Sequence, residues 1–321
     1  MQPIKSDLFS KIDPFILVDI GAAMGINKQW DRPDLNVVTI GFEPNVEEFR
    51  KLEQTQKREW VNAGLAGQTG QRTLYLTKGF TNTSLLKPNF AKLEEVDFGD
   101  GHQITAELSI PCLTLQEALE GRSNRPDFIK VDTQGTELEI LQGGEALLEN
   151  EVVGVEVEVE FFPIYEKQPL FAEVDLYMRE RGFELFDLGN FLYLKSRRHR
   201  DKGGPKGKII SCDAVYFKSM EKILSLPSGQ RLRKIRALLT AYYVYGYCDF
   251  GLAALDKLEN FLEPDERAAW RDIFASQAAH LSRFRKIPGG SLASRALRKL
   301  SRLLQPVRSA LWVAGLGNQE W

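Results

Sequence analysis

The sequence has little of several residue types, and each shortage excludes a class of protein. Only 3 of its 321 residues are cysteines, and they lie too far apart for a zinc-type pair or a disulfide framework. No apolar run approaches the roughly 20 residues that cross a bilayer. The first residues lack the basic flank and apolar stretch of a secretion signal. We therefore expect a cytoplasmic protein.

Charge is also unevenly distributed along the chain. The net charge is −2, but residues 1–221 are acidic and residues 222–321 are basic. An acidic part of this size disfavours nucleic acid as a partner, because phosphate contacts dominate such binding. In 291–312 basic side chains flank an apolar helical face, a pattern that can lie on an anionic membrane. Docking on the acidic part of the chain or on a second subunit is the commoner alternative, so peripheral contact at the inner membrane face and a homo-oligomer both stay open.

Apolar strand-like segments alternate with helical ones over the first two-thirds of the chain. The strands are predicted at 15–20, 36–44, 59–66, 72–77, 126–132 and 152–162, and the main helices at 45–56, 136–150 and 169–182. This alternation predicts an α/β fold with a doubly wound, mostly parallel sheet. Strands at 191–196 and 209–219 flank a basic, glycine-rich loop and are predicted to pair antiparallel at one edge.

The last hundred residues show helical patterns and no convincing strand. We therefore predict two domains, an α/β domain over 1–221 and an all-α, basic C-terminal extension over 222–321.

The first strand, in "ILVDIGAAMG" (16–25), ends on an acid that two glycines follow. Glycines here let the chain turn tightly and bring its backbone close to a ligand. A dinucleotide-binding turn would need G-x-G-x-x-G, but Ala23 and Ile26 stand where that pattern requires glycine. The pattern present is D-x-G-x-x-x-G, made by Asp19, Gly21 and Gly25.

A second acid, Glu43, ends the second strand. It is about where a carboxylate accepts hydrogen bonds from both ribose hydroxyls in doubly wound folds. A phosphate-free adenosine with a sulfonium charge suits an acidic pocket without a pyrophosphate cradle. The predicted cofactor is S-adenosylmethionine; the alternative is an ordinary strand-to-helix turn with a solvated Glu43.

Several segments together resemble the FkbM-type methyltransferases, a branch of the class I S-adenosylmethionine-dependent enzymes. The resemblance covers about residues 15–219 and rests on the segments "VDIGAAMG" (18–25), "GFEPN" (41–45), "TNTSLL" (81–86) and above all "DFIKVDTQGTELEILQGG" (127–144). It implies a Rossmann-like, seven-stranded methyltransferase sheet. It further implies that Asp19, Gly21 and Gly25 line the methionine side of the cofactor, that Glu43 lies at the ribose, and that Ser84 is near the cofactor.

Asp132 ends the strand "DFIKVD", which neighbours the first strand in such a sheet. A hydroxyl acceptor must lose its proton, and Asp132 is the candidate base. Gln134, in the same turn, is the candidate to orient the acceptor. The alternative is that Asp132 caps the helix that follows it.

In "EVEVE" (156–160), carboxylates alternate with valines. A row of acids on one face of a central strand must be solvated, paired or gathered at a cavity. Glu158 is the second candidate catalytic residue, with Glu160 behind it. With Asp132 they could hold a divalent cation. A half-exposed face with Lys or Arg partners is the commoner arrangement, so no metal site is assigned.

The predicted function is O-methyl transfer to a hydroxyl of a saccharide or other small natural product, the acceptor class being implied by the resemblance. Two alternatives stay open: a catalytically silent cofactor-binding scaffold and a nicotinamide-dependent oxidoreductase. The three histidines, His102, His199 and His280, are predicted to be solvated, although His102 could reach an acceptor.

Overall fold

A computed structural model describes residues 7–202 and 206–283 of the chain. The basic segment 291–312 lies outside the described residues, so the expectations of membrane or subunit contact that rest on it stay predictions. None of the described helices is long and apolar enough to cross a membrane.

The strands of the described residues form a seven-stranded and a three-stranded sheet. In chain order they are β1 Phe15–Ile20, β2 Val37–Phe42, β3 Arg58–Val61, β4 Gly64–Leu65, β5 Gly70–Thr77, β6 Ile104–Leu113, β7 Phe128–Val131, β8 Gly154–Glu160, β9 Phe183–Leu194 and β10 Lys208–Lys218. The large sheet has the order β3-β2-β1-β7-β8-β10-β9. Its first five strands pair parallel, and β10 pairs antiparallel with β8 and β9. The predicted mostly parallel, doubly wound sheet with an antiparallel edge hairpin is confirmed.

Helices cover the large sheet on both faces. They are α1 Leu8–Lys11, α2 Val46–Phe49, α3 Phe90–Leu93, α4 Leu115–Ala118, α5 Glu137–Gln142, α6 Glu145–Asn150, α7 Phe171–Glu180, α8 Met220–Ser225, α9 Ser228–Tyr245, α10 Cys248–Lys257 and α11 Pro264–Arg283. One face of the sheet packs its Val18, Ile129 and Val157 with residues of α4 to α7. The opposite face packs Leu17 and Phe128 with α1 and α8 to α11. Side chains on successive strand positions alternate between these two cores.

The connection from β1 to β2 contains no helix, although parallel strands are usually joined by one. The long helix α9, from the C-terminal extension, covers this part of the sheet instead. Buried ion pairs fix it, because Lys234 and Arg233 of α9 both bind the Asp127 carboxylate just before β7, at 3.0 and 2.8 Å. The extension is helical in its described part, as predicted; the domain boundary at residue 221 stays a prediction.

Four predicted elements differ in length. The strand predicted at 191–196 is β9, which already begins at Phe183 and ends at Leu194. The helix predicted over 45–56 is only α2, because the Gln54 side chain pairs with the backbone of Trp60 and turns the chain back along β3. The strand predicted over 59–66 splits into β3 and β4, which join different sheets. The helix predicted over 136–150 breaks into α5 and α6 at Gly143–Gly144, where a Cβ on Gly144 would lie 2.6 Å from Leu115.

Strand β6 was not predicted. It pairs with β4 and β5 in the small sheet, and most of its side chains are exposed or half-buried. It therefore lacks the clean alternation of apolar and polar residues that marks a half-buried strand.

Candidate functional site

A cleft of about 470 Å³ opens at the carboxyl ends of β1, β2 and β7. The sheet order reverses between β1 and β7, and ligands bind at such a switch point in open α/β sheets. Residues of strands and of the connections between them line the cleft, among them Gly21, Gly25, Glu43, Ser84, Lys130, Asp132, Gln134, Glu156 and Asp213. The cleft therefore gathers most of the site residues that the sequence predicts.

The turn after β1 depends on glycine. Gly21 and Gly25 have φ of +82° and +75°, in the left-handed region that favours glycine. A Cβ on Gly21 would lie 1.9 Å from the carbonyl oxygen of Asp132. The absence of a side chain at Gly21 lets the turn pack directly on the Asp132 carbonyl, just after β7.

Glu43 follows β2 and is buried, with 5% of its surface exposed. The backbone N–H of Asn45 donates to its Oε1 at 2.7 Å. Burial raises the pKa of the Glu43 carboxyl to about 7, and the charges of Glu48 and Asp19 add to the rise. Glu43 thus lies in the cleft wall as a carboxyl that titrates near neutral pH.

Asp19 is on β1 but does not line the cleft, since only 1% of its surface is exposed. Its neighbour across the sheet is Lys130 of β7, whose Nζ lies 3.7 Å from Asp19 Oδ1. Burial raises the pKa of Asp19, although the Lys130 charge opposes this. Lys130 lines the cleft and separates it from Asp19.

Asp132 comes directly after β7, lines the cleft and has 41% of its side chain exposed. The Gln134 amide donates to Asp132 Oδ1 at 3.2 Å and to Glu158 Oε2 at 2.5 Å. The Tyr165 hydroxyl lies 3.0 Å from Gln134 Oε1. Gln134 is thereby fixed between two carboxylates, and it orients Asp132.

The backbone of the loop that follows β7 and contains Gln134 is also held from two sides. Gln134 has φ +60°, a left-handed conformation that is unusual for a residue with a Cβ. The Ser84 hydroxyl donates to the Gln134 carbonyl oxygen at 2.7 Å. The buried Glu137 carboxylate accepts from the N–H groups of Thr133 and Gly135 at 2.8 and 2.9 Å. Ser84 therefore lies at the cleft wall and supports the strained loop, and its expected place near the cofactor stays a prediction.

The alternating acids of β8 are largely buried rather than half-exposed, and their hydrogen-bond partners are mostly neutral. Glu156 lines the cleft and accepts hydrogen bonds from Gln29 at 3.1 Å and from the Tyr245 hydroxyl of α9. Glu158 and Glu160 lie behind the cleft wall, and burial together with neighbouring acids raises the pKa of both. Glu158 therefore reaches the cleft only through Gln134.

The described residues contain no cluster of His, Cys, Asp or Glu arranged to hold a metal ion. His102 was expected to be solvated, which is wrong: 3% of its surface is exposed, and its ring packs edge-on against Phe98. Neither ring nitrogen has a hydrogen-bond partner in the described structure, and burial lowers the pKa of His102 to about 4.

Sequence reasoning missed four residues of the site, Lys130, Glu137, Tyr165 and Asp213. Lys130 stands two positions before Asp132 in a strand and shares its face, a signal that strand periodicity could have given. Asp213 lies opposite Glu158 in the antiparallel pair of β8 and β10, so its position depends on a strand register that the sequence does not fix.

Solved structures with a similar arrangement of elements are distant in sequence. A methyltransferase FkbM from Methylobacillus flagellatus matches with a TM-score of 0.36 and 14% identity, over 64% of this chain and 43% of its own. A precorrin-6y C5,15-methyltransferase from Geobacter metallireducens matches with a TM-score of 0.34 and 12% identity, over 68% and 92%. The N-terminal domain of EvdMO1, solved with SAH bound, matches with a TM-score of 0.31 and 11% identity, over 66% and 77%. The chain thus spans less than half the length of the first of these proteins.

No curated protein matches the sequence. The family model of the methyltransferase FkbM domain matches residues 19–185, just over half of the chain. The matched range runs from Asp19 through the cleft-forming segments to β9. The chain therefore belongs to the FkbM methyltransferase family.

Proposed function

We propose that this protein transfers the methyl group of S-adenosylmethionine to a hydroxyl of a saccharide or another small natural product. The observation that carries the proposal is the position of Asp132. Its half-exposed carboxylate lies in the cleft wall, is oriented by Gln134, and is next to the glycine turn of β1. A hydroxyl acceptor in this cleft would thus meet a proton acceptor beside the cofactor turn.

The residues of the cleft fit such a cofactor. The glycine turn after β1 lines the cleft, and the buried Glu43 carboxyl can accept hydrogen bonds from ribose hydroxyls. The acids of the wall favour a ligand with a positive charge. When bound, the cofactor supplies a methyl group on a positively charged sulfur, which leaves as a neutral thioether.

The residues of the chain would position the acceptor and take its proton. As the hydroxyl oxygen forms its bond to the methyl carbon, the O–H proton passes to the Asp132 carboxylate. Gln134 keeps that carboxylate in one orientation, because its own amide is tied to Glu158. Orientation of this kind lowers the barrier by holding the reacting groups in line.

The acceptor class comes from the family resemblance and from the chemistry of the cleft wall. Asp132, Glu156 and Asp213 offer acceptors for the hydroxyls of a sugar. The same three acids disfavour an anionic acceptor. This supports a neutral, hydroxyl-rich acceptor.

The Asp132→Asn variant tests the proposal. The assay supplies methyl-labelled S-adenosylmethionine with a panel of saccharides and measures S-adenosylhomocysteine formed. We expect turnover to fall by about 10²–10⁴-fold, because a base is lost, while cofactor affinity stays within a few-fold. Asp256→Asn, an exposed aspartate of α10, is the matched control and should keep turnover.

Wild-type turnover in Asp132→Asn would exclude Asp132 as the base. Calorimetry with S-adenosylmethionine and with NAD separates the proposal from a nicotinamide-dependent enzyme. Cofactor binding without turnover on any acceptor tried would favour a silent scaffold.

A further inference from the structure

The hairpin that joins β9 to β10 carries a dense group of basic side chains. Its described residues 195–202 and 206–208 include seven lysines and arginines and one acid, Asp201. This part of the chain, the basic hairpin, contrasts in charge with the acidic wall of the cleft. Six of its cations are exposed, namely Arg197, Arg198, Arg200, Lys202, Lys206 and Lys208.

The base of the basic hairpin has a defined conformation. The Lys195 ammonium donates to the carbonyl oxygen of Lys206 at 2.5 Å and ties the two sides of the hairpin together. A neighbouring segment adds two backbone hydrogen bonds, from the Asp97 N–H to the Lys195 carbonyl at 2.9 Å and from the Arg197 N–H to the Glu95 carbonyl at 3.3 Å. The basic side chains therefore project from a paired structure.

Nearby acids offset only part of the charge of the basic hairpin. Asp97 and Glu95 pair with hairpin cations at 2.8 and 3.8 Å, and Glu95 also pairs with Lys92 at 2.7 Å. Taken together, the basic hairpin and the segment 92–97 that packs on it hold eight cations and four acids. This surface therefore keeps a positive excess and is complementary to an anionic partner.

The basic hairpin lies at the same edge of the sheet as the cleft. Strand β10 runs antiparallel to β8, and Ser211, near its start, pairs with Glu160 at the end of β8. The start of β10 is thus at the carboxyl edge of the parallel strands, where the cleft opens. Lys208 and Asp213 of the cleft wall are on the same strand, separated by about 16 Å at the usual rise per residue. A large surface bound by the hairpin would therefore lie beside the cleft.

Exposed aromatic rings accompany the charge. Phe191 of β9 is 41% exposed, and its ring stacks on that of Tyr193 with the centroids 5.9 Å apart. Strand β9 is the last strand of the large sheet, so no strand of the described residues pairs with its outer side. Aromatic rings beside lysines and arginines are typical of surfaces that contact lipid headgroups.

We propose that the basic hairpin, together with Phe191, is a docking surface for an anionic membrane. Anionic headgroups attract clusters of lysine and arginine, and each such residue near the surface contributes about fivefold in affinity. A nucleic acid fits less well, because its phosphates would run beside Glu156 and Asp213 of the cleft wall. A bilayer can contact the hairpin without entering the cleft. The inference goes beyond the proposed methyl transfer and does not depend on it.

Co-sedimentation of the full chain with vesicles tests the docking, without cofactor or acceptor. One set of vesicles contains phosphatidylcholine alone, and the other also contains phosphatidylserine. We expect binding to the anionic vesicles only, and weaker binding at high salt because salt screens exposed charges. The triple variant Arg197→Gln, Arg198→Gln, Lys206→Gln loses three cations and should bind on the order of 100-fold more weakly.

The aromatic part of the surface has its own variant. Phe191→Ser removes an exposed ring and no charge, and it should weaken binding to the anionic vesicles by roughly tenfold, because the ring no longer leaves water for the membrane interface. Unchanged binding in Phe191→Ser would overturn the membrane assignment, since charge alone does not distinguish a bilayer from another polyanion.

Two control variants separate the hairpin from charge in general. Arg197→Lys combined with Arg198→Lys keeps the charge and should keep wild-type binding. The triple variant Lys57→Gln, Lys257→Gln, Arg271→Gln removes three exposed cations before β3, at the end of α10 and in α11. It should also keep wild-type binding, and a loss equal to that of the hairpin variant would overturn the inference.

The remaining outcomes are also decisive. No binding to the phosphatidylserine vesicles overturns the inference. Equal binding by the wild type and the hairpin triple variant also overturns it and would assign the contact to another part of the chain, such as the basic segment 291–312. Hairpin-dependent binding of single-stranded RNA, without hairpin-dependent binding of vesicles, would assign the surface to nucleic acid instead. Since the assay contains neither cofactor nor acceptor, the result of Asp132→Asn on turnover leaves this inference unaffected.

Discussion

Cofactor affinity should depend on pH through Glu43. Its carboxyl is buried in the cleft wall, and its pKa lies at about 7 without a ligand. Ribose hydroxyls donate hydrogen bonds, so the ionised form of Glu43 binds them better than the protonated form. Binding should therefore select the ionised form and release a proton.

The magnitude follows from the ionised fraction. With a pKa of about 7, Glu43 is about one-tenth ionised at pH 6 and about nine-tenths ionised at pH 8, and the apparent dissociation constant scales with the inverse of that fraction. Affinity should therefore weaken by about tenfold from pH 8 to pH 6. At pH 7 about half a proton should be released per ligand bound.

Isothermal titration calorimetry with S-adenosylhomocysteine measures both quantities, using buffers of different ionisation enthalpy to count protons. The α-amino group of the ligand and Asp213, whose pKa burial raises to about 6, also titrate in this range. Glu43→Gln isolates the contribution of Glu43, because it removes the titration and keeps a hydrogen-bonding side chain. This variant should bind roughly 10–100-fold more weakly at pH 8, from the loss of bonds to a charged acceptor.

The same experiment can refute the assignment. Equal affinity of the wild-type protein at pH 6 and pH 8 would mean that the charge of Glu43 does not affect binding. A Glu43→Gln variant with the wild-type pH slope would mean that another group causes it. Either result would remove Glu43 from the cofactor site.

Three further variants test other features of the structure. Gly21→Ala should abolish cofactor binding in calorimetry, because its Cβ would overlap the Asp132 carbonyl; binding within a few-fold of the wild type would contradict this packing. Lys234→Met should lower the free energy of unfolding by about 3–5 kcal/mol in urea denaturation, since it leaves the buried Asp127 with one cation fewer; a loss below about 1 kcal/mol would contradict it. The pKa of buried His102 lies at about 4, whereas a histidine in the unfolded chain has a pKa of about 6.5. Below about pH 6.5 the unfolded chain therefore binds more protons, and the free energy of unfolding falls as the pH drops. His102→Leu should remove this loss, and its stability advantage in urea should grow from pH 7.5 to pH 5; a constant difference would mean that His102 is not held neutral by burial.

The fold was largely predictable because its signals are local. The residue patterns of β1, β8 and the amphipathic α7 each predict the conformation of that segment without reference to the rest of the chain. The alternation of strands and helices then predicts a mostly parallel sheet. Elements whose ends depend on distant contacts were not predictable. Helix α2 stops early because of a side chain that binds β3, and β6 is recognisable mainly by its neighbours in the small sheet.

The candidate site was predictable where a residue ends a strand at the cleft. Gly21, Glu43 and Asp132 were found in this way, and each lines the cleft. Residues that act from mid-strand positions or across the sheet were not found, as Lys130 shows. The neighbours of Lys130 depend on which strands flank β7 and in which register, and the sequence specifies neither directly.

The use of α9 in place of a crossover helix has a consequence for biosynthesis. Strand β1 is made first, yet the helix that covers one of its faces begins about 200 residues later. On the ribosome that apolar face of β1 would stay without the helix that covers it until most of the polypeptide has emerged. Nascent chains halted after β10 should thus bind chaperones that recognise exposed apolar strands, and release should follow only once α9 has left the exit tunnel.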